Sequence, residues 1–397
     1  MSHKCAICGI ESEIEEAFLP IRNSYSNTIF YCPTCWEKRS TQHGGSYLIA
    51  CVTVLVGGLV WVMASPQNEF AWLIFQTGLF WCFTTLVVVP HELGHVLAAL
   101  MTKTKVFQVT IGLGNILYKH DFLGIEWKFC AIPICGFTII GIGSRKFYRT
   151  RSLLTTLGGP LVNFLLGVAA LIILFRVSSP WLLAVIRPFL AANIFVLLFG
   201  LVPRKVNIAS GNTPSDGLLL LSVPFMSELK INQEIEAYYL WEAYCYSMRG
   251  RTEDARRSCE EGLARFPNSA AIQNEMGRVL LELGKYVEAR NLFVQLQKSS
   301  DLKPAETFRL LNDIATADVM MGTKELLDEA DAFSKTACEK MPWQIEFKWA
   351  RGLVLVEKGN VEQGLTLLKE VMDKLETSHR KATYADYVAK VENKKVL

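Results

Sequence analysis

Acidic residues are scarce in the middle of this chain. Of the 38 Asp and Glu residues, 5 lie in residues 1–46 and 29 in residues 204–397. The 157 residues in between hold only four acids, which are Glu69, Glu92, Asp121 and Glu126. So few acids between two charge-rich ends exclude a single uniform soluble globule. A soluble segment, a membrane segment and a second soluble segment are predicted instead.

Three further absences narrow the class of protein. The first 20 residues contain no apolar h-region, so no cleavable signal peptide is expected. A net charge of +3 is too mild for a general nucleic-acid footprint, and no nucleic-acid partner is predicted. Eleven scattered cysteines, an odd number, argue against a disulfide framework.

Four of the cysteines form two CxxC pairs near the N-terminus, Cys5 with Cys8 and Cys32 with Cys35. Each pair can place two thiolates on one turn, about 2.3 Å from a shared Zn²⁺. The 23 residues between the pairs allow a hairpin, for example Ala17–Leu19 with Thr28–Tyr31. The alternative is a thioredoxin-type redox pair, but the βαβ context of that motif is missing. The pattern predicts a structural zinc ribbon.

Four apolar stretches are long enough to cross ~30 Å of hydrocarbon. Their approximate bounds are residues 47–64, 70–101, 153–175 and 181–202. Eight Lys and Arg residues lie in the connection from Lys103 to Arg151, whereas the connection Ser65–Glu69 has none. The positive-inside rule therefore predicts an integral membrane protein with both termini in the cytoplasm.

The second stretch contains His91-Glu92-Leu93-Gly94-His95. On a helix, the spacing i, i+4 puts His91 and His95 on one face, where both can bind one metal ion. Glu92 is offset by about 100° and can reach a metal-bound water as a general base. Ionisable groups at membrane depth are costly and usually functional. The alternative is that other helices satisfy the two histidines. Pro90 predicts a kink or the start of a second half-helix.

Further motifs follow in order and resemble the site-2 protease family of intramembrane zinc metalloproteases over residues 70–222. Ile132-Pro133-Ile134-Cys135-Gly136-Phe137 is similar to the family's Pro-x-Gly-Gly-aromatic loop, with Cys135 in place of one glycine. Gly158-Gly159-Pro160-Leu161-Val162-Asn163 is similar to its Gly-Pro-x-x-Asn helix start, and Asp216-Gly217 to its Asp-Gly motif.

The resemblance implies a third zinc ligand and a substrate contact. Asp216 would complete the catalytic zinc site, and Asn163 would hold substrate or the developing oxyanion. From the residues alone, Asp216 is also readable as a helix N-cap, and Asn163 as a helix–helix hydrogen-bonding residue. The family's Asn-x-x-Pro before Asp-Gly is missing here. Either Asn212 serves instead, or the segment around Gly200-Leu201-Val202-Pro203 is rearranged.

Residues 105–143 contain strand-like runs at Val106–Ile111 and Phe129–Ile134, punctuated by turn glycines. Backbone of this kind at membrane depth must be sheltered by protein or line a cavity. We expect an exposed strand edge beside the metal site to pair with an unwound substrate, so that Gly136→Pro would impair cleavage.

The C-terminal third is repetitive. Gly250 and Gly284 lie 34 residues apart, as do Ala255 and Ala289. This period resembles the tetratricopeptide repeat, with small alanines where helices approach closely. The predicted helix pairs, which would stack into one solenoid, are 236–249 with 252–265, 270–283 with 286–298, 305–321 with 325–340, and 345–358 with 361–375. A protein or peptide partner of these repeats is expected.

The predicted fold class is mainly α, with a polytopic membrane core of about four spans, a small β hairpin region, a zinc ribbon and a C-terminal α-solenoid. The predicted domains are a zinc ribbon at 1–46, a metalloprotease core at 47–222, a linker at 223–235, repeats at 236–377 and a charged C-terminal segment at 378–397.

The predicted function is an intramembrane zinc metalloendopeptidase with two zinc ions, one catalytic and one structural, acting on membrane-spanning proteins. The alternatives are a catalytically inactive membrane-anchored repeat scaffold and a zinc transporter or sensor. The intact HExxH and Asp-Gly motifs disfavour the scaffold. A transporter would carry polar residues along several spans.

Overall fold

The computed structural model describes residues 3–6, 8–12, 19–22, 28–208, 211–298, 302–374 and 378–395. It divides into two compact units. One contains residues 36–235, and the other combines residues 1–35 with residues 236–397.

Among the described residues, four helical stretches are long and apolar enough to cross a membrane, as the sequence predicts: Ser46–Ala64, Glu69–Met101, Tyr148–Leu174 and Pro180–Leu201. The helices that form them are α1 (Pro33–Ala64), α2 (Glu69–Leu86), α3 (Val88–Met101), α4 (Tyr148–Leu174) and α5 (Pro180–Leu201). Helix α1 begins well before its apolar part, so Cys35 lies in its first turn.

The second stretch is broken at Val87, between α2 and α3. Pro90 has no N–H, so it cannot donate the bond that the carbonyl of Leu86 would accept in a continuous helix. The structure therefore agrees with the predicted second half-helix, which carries the HExxH motif.

Helices α3 and α4 approach each other closely at two glycines. A Cβ on Gly94 would lie 2.3 Å from the Gly158 carbonyl oxygen, and a Cβ on Gly158 would lie 2.3 Å from that of Gly94. Small residues permit such contacts between membrane helices. This packing brings the histidine face of α3 against the start of the Gly-Pro-x-x-Asn motif.

The connection between α3 and α4 folds into strands β5 (Lys105–Phe122) and β6 (Ile125–Gly141). Both are longer than the predicted runs. The first part of β5 pairs with both ends of β6, because Val109 faces Trp127 on one side and Thr138 on the other. The two strands bend at bulges and make a small sheet, in which the positive φ angles of Gly112 and Gly124 accommodate turns.

A short hairpin and a short helix follow α5. Strand β7 (Lys205–Ile208) pairs with β8 (Gly211–Pro214), and α6 (Asp216–Ser222) begins directly afterwards. The alternative that the segment before Asp-Gly is rearranged agrees with this hairpin. The side chain of Asn212, the other alternative, lies outside the part of the chain that the structure describes.

The repeats form the expected helix pairs with bounds within two residues of the prediction, apart from the first helix. They are α7 (Glu228–Met248) with α8 (Thr252–Arg265), α9 (Ala270–Glu282) with α10 (Tyr286–Gln297), α11 (Pro304–Met320) with α12 (Leu327–Lys340), which follows a 3₁₀ turn at Lys324–Leu326, and α13 (Phe347–Glu357) with α14 (Val361–Lys374).

One difference from the prediction concerns the first helix of the repeats. Helix α7 begins eight residues before its predicted start, so residues 228–235 of the predicted linker are helical. Burial of the Ile231 and Ile235 side chains explains this extension. The charged C-terminal segment forms α15 (Ser378–Lys395). It caps the last repeat, with Tyr384 stacked on Trp349 at 3.5 Å between ring centroids.

The described part of the N-terminal segment contains the short strands β1 (His3–Lys4), β2 (Glu11–Ser12), β3 (Leu19–Arg22) and β4 (Thr28–Tyr31). Strands β3 and β4 make the expected hairpin, while Ala17 lies outside the described residues. Cys5 and Cys32 share an apolar cluster with Met341 and Phe347 of the repeats. The ribbon cysteines therefore pack against the solenoid within the same compact unit.

Candidate metal centres

Three predicted ligands converge in the membrane unit. The distance between His91 Nε2 and His95 Nε2 is 3.3 Å, that between His91 Nε2 and Asp216 Oδ2 is 3.2 Å, and that between His95 Nε2 and Asp216 Oδ1 is 3.5 Å. A tetrahedral site with metal–ligand bonds of ~2.0–2.1 Å has edges of about 3.3–3.4 Å. The two imidazole nitrogens and the Asp216 carboxylate, which has one oxygen near each nitrogen, therefore suit one face of a zinc tetrahedron and leave a fourth position open.

The chain positions Asp216 through its neighbour Ser215. The Ser215 hydroxyl donates to the Val202 carbonyl at 2.8 Å and accepts from the Arg204 N–H at 3.1 Å. It also caps α6 by accepting from Leu218 N–H. Ser215, not Asp216, is therefore the N-cap, and the Asp216 carboxylate is available to face the histidines.

Gly217 and Gly159 make room for this arrangement. A Cβ on Gly217 would lie 1.9 Å from the Leu201 carbonyl oxygen, so only glycine allows α6 to approach α5 this closely. A Cβ on Gly159 would lie 2.4 Å from His95 Nε2 and 2.7 Å from His91 Nε2. The second glycine of the Gly-Gly-Pro motif thus leaves open the space in front of both imidazoles.

The Nδ1 atom of each imidazole faces an oxygen acceptor on the side away from the proposed ion. His95 Nδ1 lies 2.9 Å from the Thr155 carbonyl oxygen, and His91 Nδ1 lies 2.5 Å from Asn163 Oδ1. These acceptors favour a proton on each Nδ1 and a lone pair on each Nε2, the form that binds metal.

Glu92 lies beside the ligands and is 2% exposed. Its Oε2 accepts a hydrogen bond from the Thr138 hydroxyl of β6 at 2.7 Å. A Cβ on Gly136 would lie 2.5 Å from Glu92 Oε1, so this glycine leaves room for the carboxylate. Strand β6 therefore shapes the surroundings of the predicted general base.

Asn163 is 1% exposed and lies behind His91. Its Nδ2 donates to Asn193 Oδ1 at 3.1 Å and lies 3.4 Å from the Val87 carbonyl oxygen. The role in holding substrate that the family resemblance implies stays a prediction.

Comparison with known proteins decides the family. The model of peptidase family M50 matches residues 79–383, which is more than half of the chain and includes every residue of the His/Glu/Asp site. The chain belongs to peptidase family M50. The resemblance predicted from the motifs is confirmed at this level, and four apolar helical stretches make this M50 chain an integral membrane protein.

Curated relatives share shorter segments with the M50 chain. A candidate zinc metalloprotease of Rhizobium meliloti is 30% identical over 117 residues, which cover 23% of this chain and 31% of that protein. The chloroplastic membrane metalloprotease ARASP of Arabidopsis thaliana is 42% identical over 53 residues, or 13% of this chain and 12% of that protein. The match thus spans about a third or less of the length of these relatives.

Among solved structures, yeast Tom70 can be aligned with the M50 chain at 10% sequence identity. The alignment covers 91% of the M50 chain and 82% of the Tom70 chain. Its TM-score of 0.29 is too low to support any argument about the fold.

The second converging group is the ribbon. The Sγ atoms of Cys5, Cys8, Cys32 and Cys35 all lie within 4.8 Å of one another, and Cys8 Sγ is 3.7 Å from Cys32 Sγ. A tetrahedral Zn–S₄ site with bonds of ~2.3 Å has edges of about 3.8 Å. Burial raises the pKa values of Cys32 and Cys35, and a zinc ion bound there would favour the thiolates.

Glu126, another acid of the membrane region, is engaged in ion pairs of its own. In the β5–β6 sheet, Glu126 forms ion pairs with Lys119 at 2.6 Å and with Lys128 at 2.7 Å. Burial alone would raise the pKa of Glu126, but these hydrogen bonds and charges outweigh it and lower the pKa. Glu126 therefore stabilises the hairpin.

Sequence reasoning missed several residues around the site. Thr138, Thr155 and Asn193 contact the predicted base or support the ligands, yet none belongs to a recognised motif. Asn193 had one signal that could have revealed it, since it is an amide in the middle of the apolar stretch 181–202.

Proposed function

We propose that this protein is an intramembrane zinc endopeptidase of the site-2 type that cleaves membrane-spanning protein substrates. The observation that carries the proposal is the convergence of His91, His95 and Asp216 at tetrahedral distances beside a buried glutamate. That convergence occurs at a helix stretch apolar enough to span a membrane, where uncompensated ionisable groups are costly.

A zinc ion in this site would supply a Lewis acid for the scissile carbonyl and an activated water nucleophile. The chain supplies the proton transfers. Glu92 would take a proton from the attacking water on a carboxylate oxygen and then deliver it to the leaving amine. Thr138 donates to Oε2 of Glu92 and so holds the carboxylate in one orientation.

Strand β6 is a candidate surface for presenting the substrate. Residues 136–141 pair with β5 along one side, and no described strand pairs with their other side. Thr138 of this segment contacts Glu92, so a substrate strand added at this edge would pass close to the base.

The Gly136→Pro test does not isolate strand pairing, because a Cβ there would press directly on Glu92. A photocrosslinking side chain at Ile139 tests the edge instead. It should capture a single-span model substrate in the Glu92→Gln variant, and capture only from the distant Asp121 position would contradict this route.

The charge distribution supports cleavage near the cytoplasmic side. Lys and Arg concentrate in the connection from Lys103 to Arg151 and after α5, and by the positive-inside rule this favours both termini in the cytoplasm. We further propose that the ribbon and the repeats recruit protein partners or control access of substrates.

Glu92→Gln tests the proposed activity. Cells lacking their own copy would express the wild-type chain, Glu92→Gln or, as a matched control, Glu69→Gln at the exposed start of α2. Mass spectrometry would map new peptide termini in membrane proteins.

Termini within membrane spans should form with the wild type and Glu69→Gln, and not with Glu92→Gln. The same termini in all three strains, or in none, would contradict the enzyme and favour the scaffold.

A further inference from the structure

A chain of buried amides connects helix α5 to the metal site. Asn193 of α5 is 0% exposed, and Asn163 of α4 is 1% exposed. Asn163 Nδ2 donates to Asn193 Oδ1 at 3.1 Å, and Asn163 Oδ1 lies 2.5 Å from His91 Nδ1. The three residues come from three different helices, α3, α4 and α5.

Two backbone carbonyls determine how the side-chain amides of these asparagines are oriented. Asn193 Nδ2 donates to the Phe189 carbonyl oxygen at 2.9 Å, so the Oδ1 of Asn193 faces Asn163. Asn163 Nδ2 lies against the Val87 carbonyl oxygen at 3.4 Å as well as against Asn193 Oδ1, so its own Oδ1 faces His91. A carbonyl can only accept, and neither amide can turn over without placing oxygen against oxygen.

The orientation of the two amides determines the tautomer of His91. Because Asn163 presents an acceptor, His91 Nδ1 must carry the proton, and Nε2 then presents its lone pair toward His95 and Asp216. The break at Val87 contributes as well, because it places the Val87 carbonyl next to the Asn163 amide.

We infer that Asn193 is a positioning residue for the metal site. It holds Asn163, and Asn163 holds His91 in the orientation and tautomer that bind the ion. The hydrogen bonds of the Asn193 side chain go to Asn163 and to the Phe189 carbonyl, so it acts on His91 through Asn163. This inference rests on the proposed zinc site, but not on the identity of any substrate.

Asn193→Leu tests the inference, because leucine has a similar size and removes both the acceptor and the donor. Asn193→Asp keeps an Oδ acceptor for Asn163. Thr84→Val is the matched control: Thr84 is a buried polar residue of α2 whose hydroxyl donates at 2.8 Å to Phe80 O within its own helix. His95→Ala marks complete loss of the membrane site.

The measurement is metal affinity of the purified full-length chain in detergent, by competition with a chelator and by the absorption of bound Co²⁺. Charge-transfer bands from thiolate to Co²⁺ identify an ion in the ribbon. A Co²⁺ ion whose spectrum lacks these bands is bound at the His/Asp site. Residues that support metal ligands typically change metal affinity by ~10–100-fold.

We expect Asn193→Leu to lower affinity at the His/Asp site about tenfold and to change its Co²⁺ spectrum. Asn193→Asp should recover most of the loss, and Thr84→Val should match the wild type. Wild-type affinity in Asn193→Leu would overturn the inference, and so would equal losses in Asn193→Leu, Asn193→Asp and Thr84→Val. Failure of His95→Ala to remove an ion would instead overturn the proposed zinc site itself.

Discussion

Gly159→Ala should remove the proposed catalytic metal while leaving the fold intact. The added Cβ would lie 2.4 Å from His95 Nε2 and 2.7 Å from His91 Nε2, whereas ordinary contacts begin at 3.4 Å. One imidazole or helix α4 must therefore move by about 1 Å. Zinc–ligand distances tolerate changes of only about 0.2 Å, so the ligands would no longer meet one ion.

The helix itself should tolerate alanine. Alanine is a better helix former than glycine by about 1 kcal/mol, so α4 gains rather than loses intrinsic stability. Gly167→Ala in the same helix is the matched control, because its Cβ would lie 3.8 Å from Leu190 Cδ1 and 3.9 Å from Asn193 Cβ.

The assay is zinc per chain of the purified protein, together with its thermal unfolding midpoint. Gly159→Ala should retain the ribbon ion alone, and Gly167→Ala should retain both ions. Both variants should keep the helical fold, which the thermal unfolding measurement checks. Full zinc content and wild-type proteolysis in Gly159→Ala would refute the assignment of that space to the metal.

Three further predictions concern the base, the ribbon and the hairpin. Thr138→Val removes the donor to Glu92 and should lower kcat about tenfold, the equivalent of one lost positioning hydrogen bond, with zinc unchanged; unchanged kcat in a turnover assay would contradict it. Cys32→Ser should release the ribbon ion and make residues 3–31 sensitive to limited proteolysis, whereas Cys245→Ser should not; a protected ribbon without zinc would count against the site. Because the folded pKa of Glu126 is lowered, its ionised form stabilises the hairpin above the ordinary value of 4.5, and this stabilisation is lost as the pH falls below that value. The protection of the hairpin amides from hydrogen exchange, taken relative to the intrinsic exchange rate at each pH, should therefore fall on acidification in the wild type and much less in Glu126→Gln, and an equal fall in both would contradict the ion-pair account.

The order and type of most elements could be predicted because their signals are local. Apolar runs gave the four spans, and the 34-residue period gave the helix pairs of the repeats within two residues, except for the start of α7. That helix begins at Glu228, because burial of Ile231 and Ile235 extends it into the predicted linker.

The supporting contacts could not be predicted, because they join distant parts of the chain. The spacing of His91 and His95 is visible in sequence, but Thr138 reaches Glu92 only through the register and bulges of β5 and β6. The open space at Gly159 likewise depends on the close crossing of α3 and α4 at Gly94 and Gly158.

The ribbon shows the same division between local and distant information. The two CxxC pairs indicate a zinc site from their spacing alone, and their sulfur atoms do converge. Nothing in the sequence indicates that Cys5 and Cys32 pack against Met341 and Phe347, because apolar helix faces in repeats normally pack against the next repeat.

Zinc stoichiometry of the purified full-length chain tests the central claim most directly. The account predicts two zinc ions per wild-type chain and one in His95→Ala, with the remaining ion held by the four ribbon cysteines. Two ions in both proteins, or one ion in both, would contradict a zinc site built from His91, His95 and Asp216.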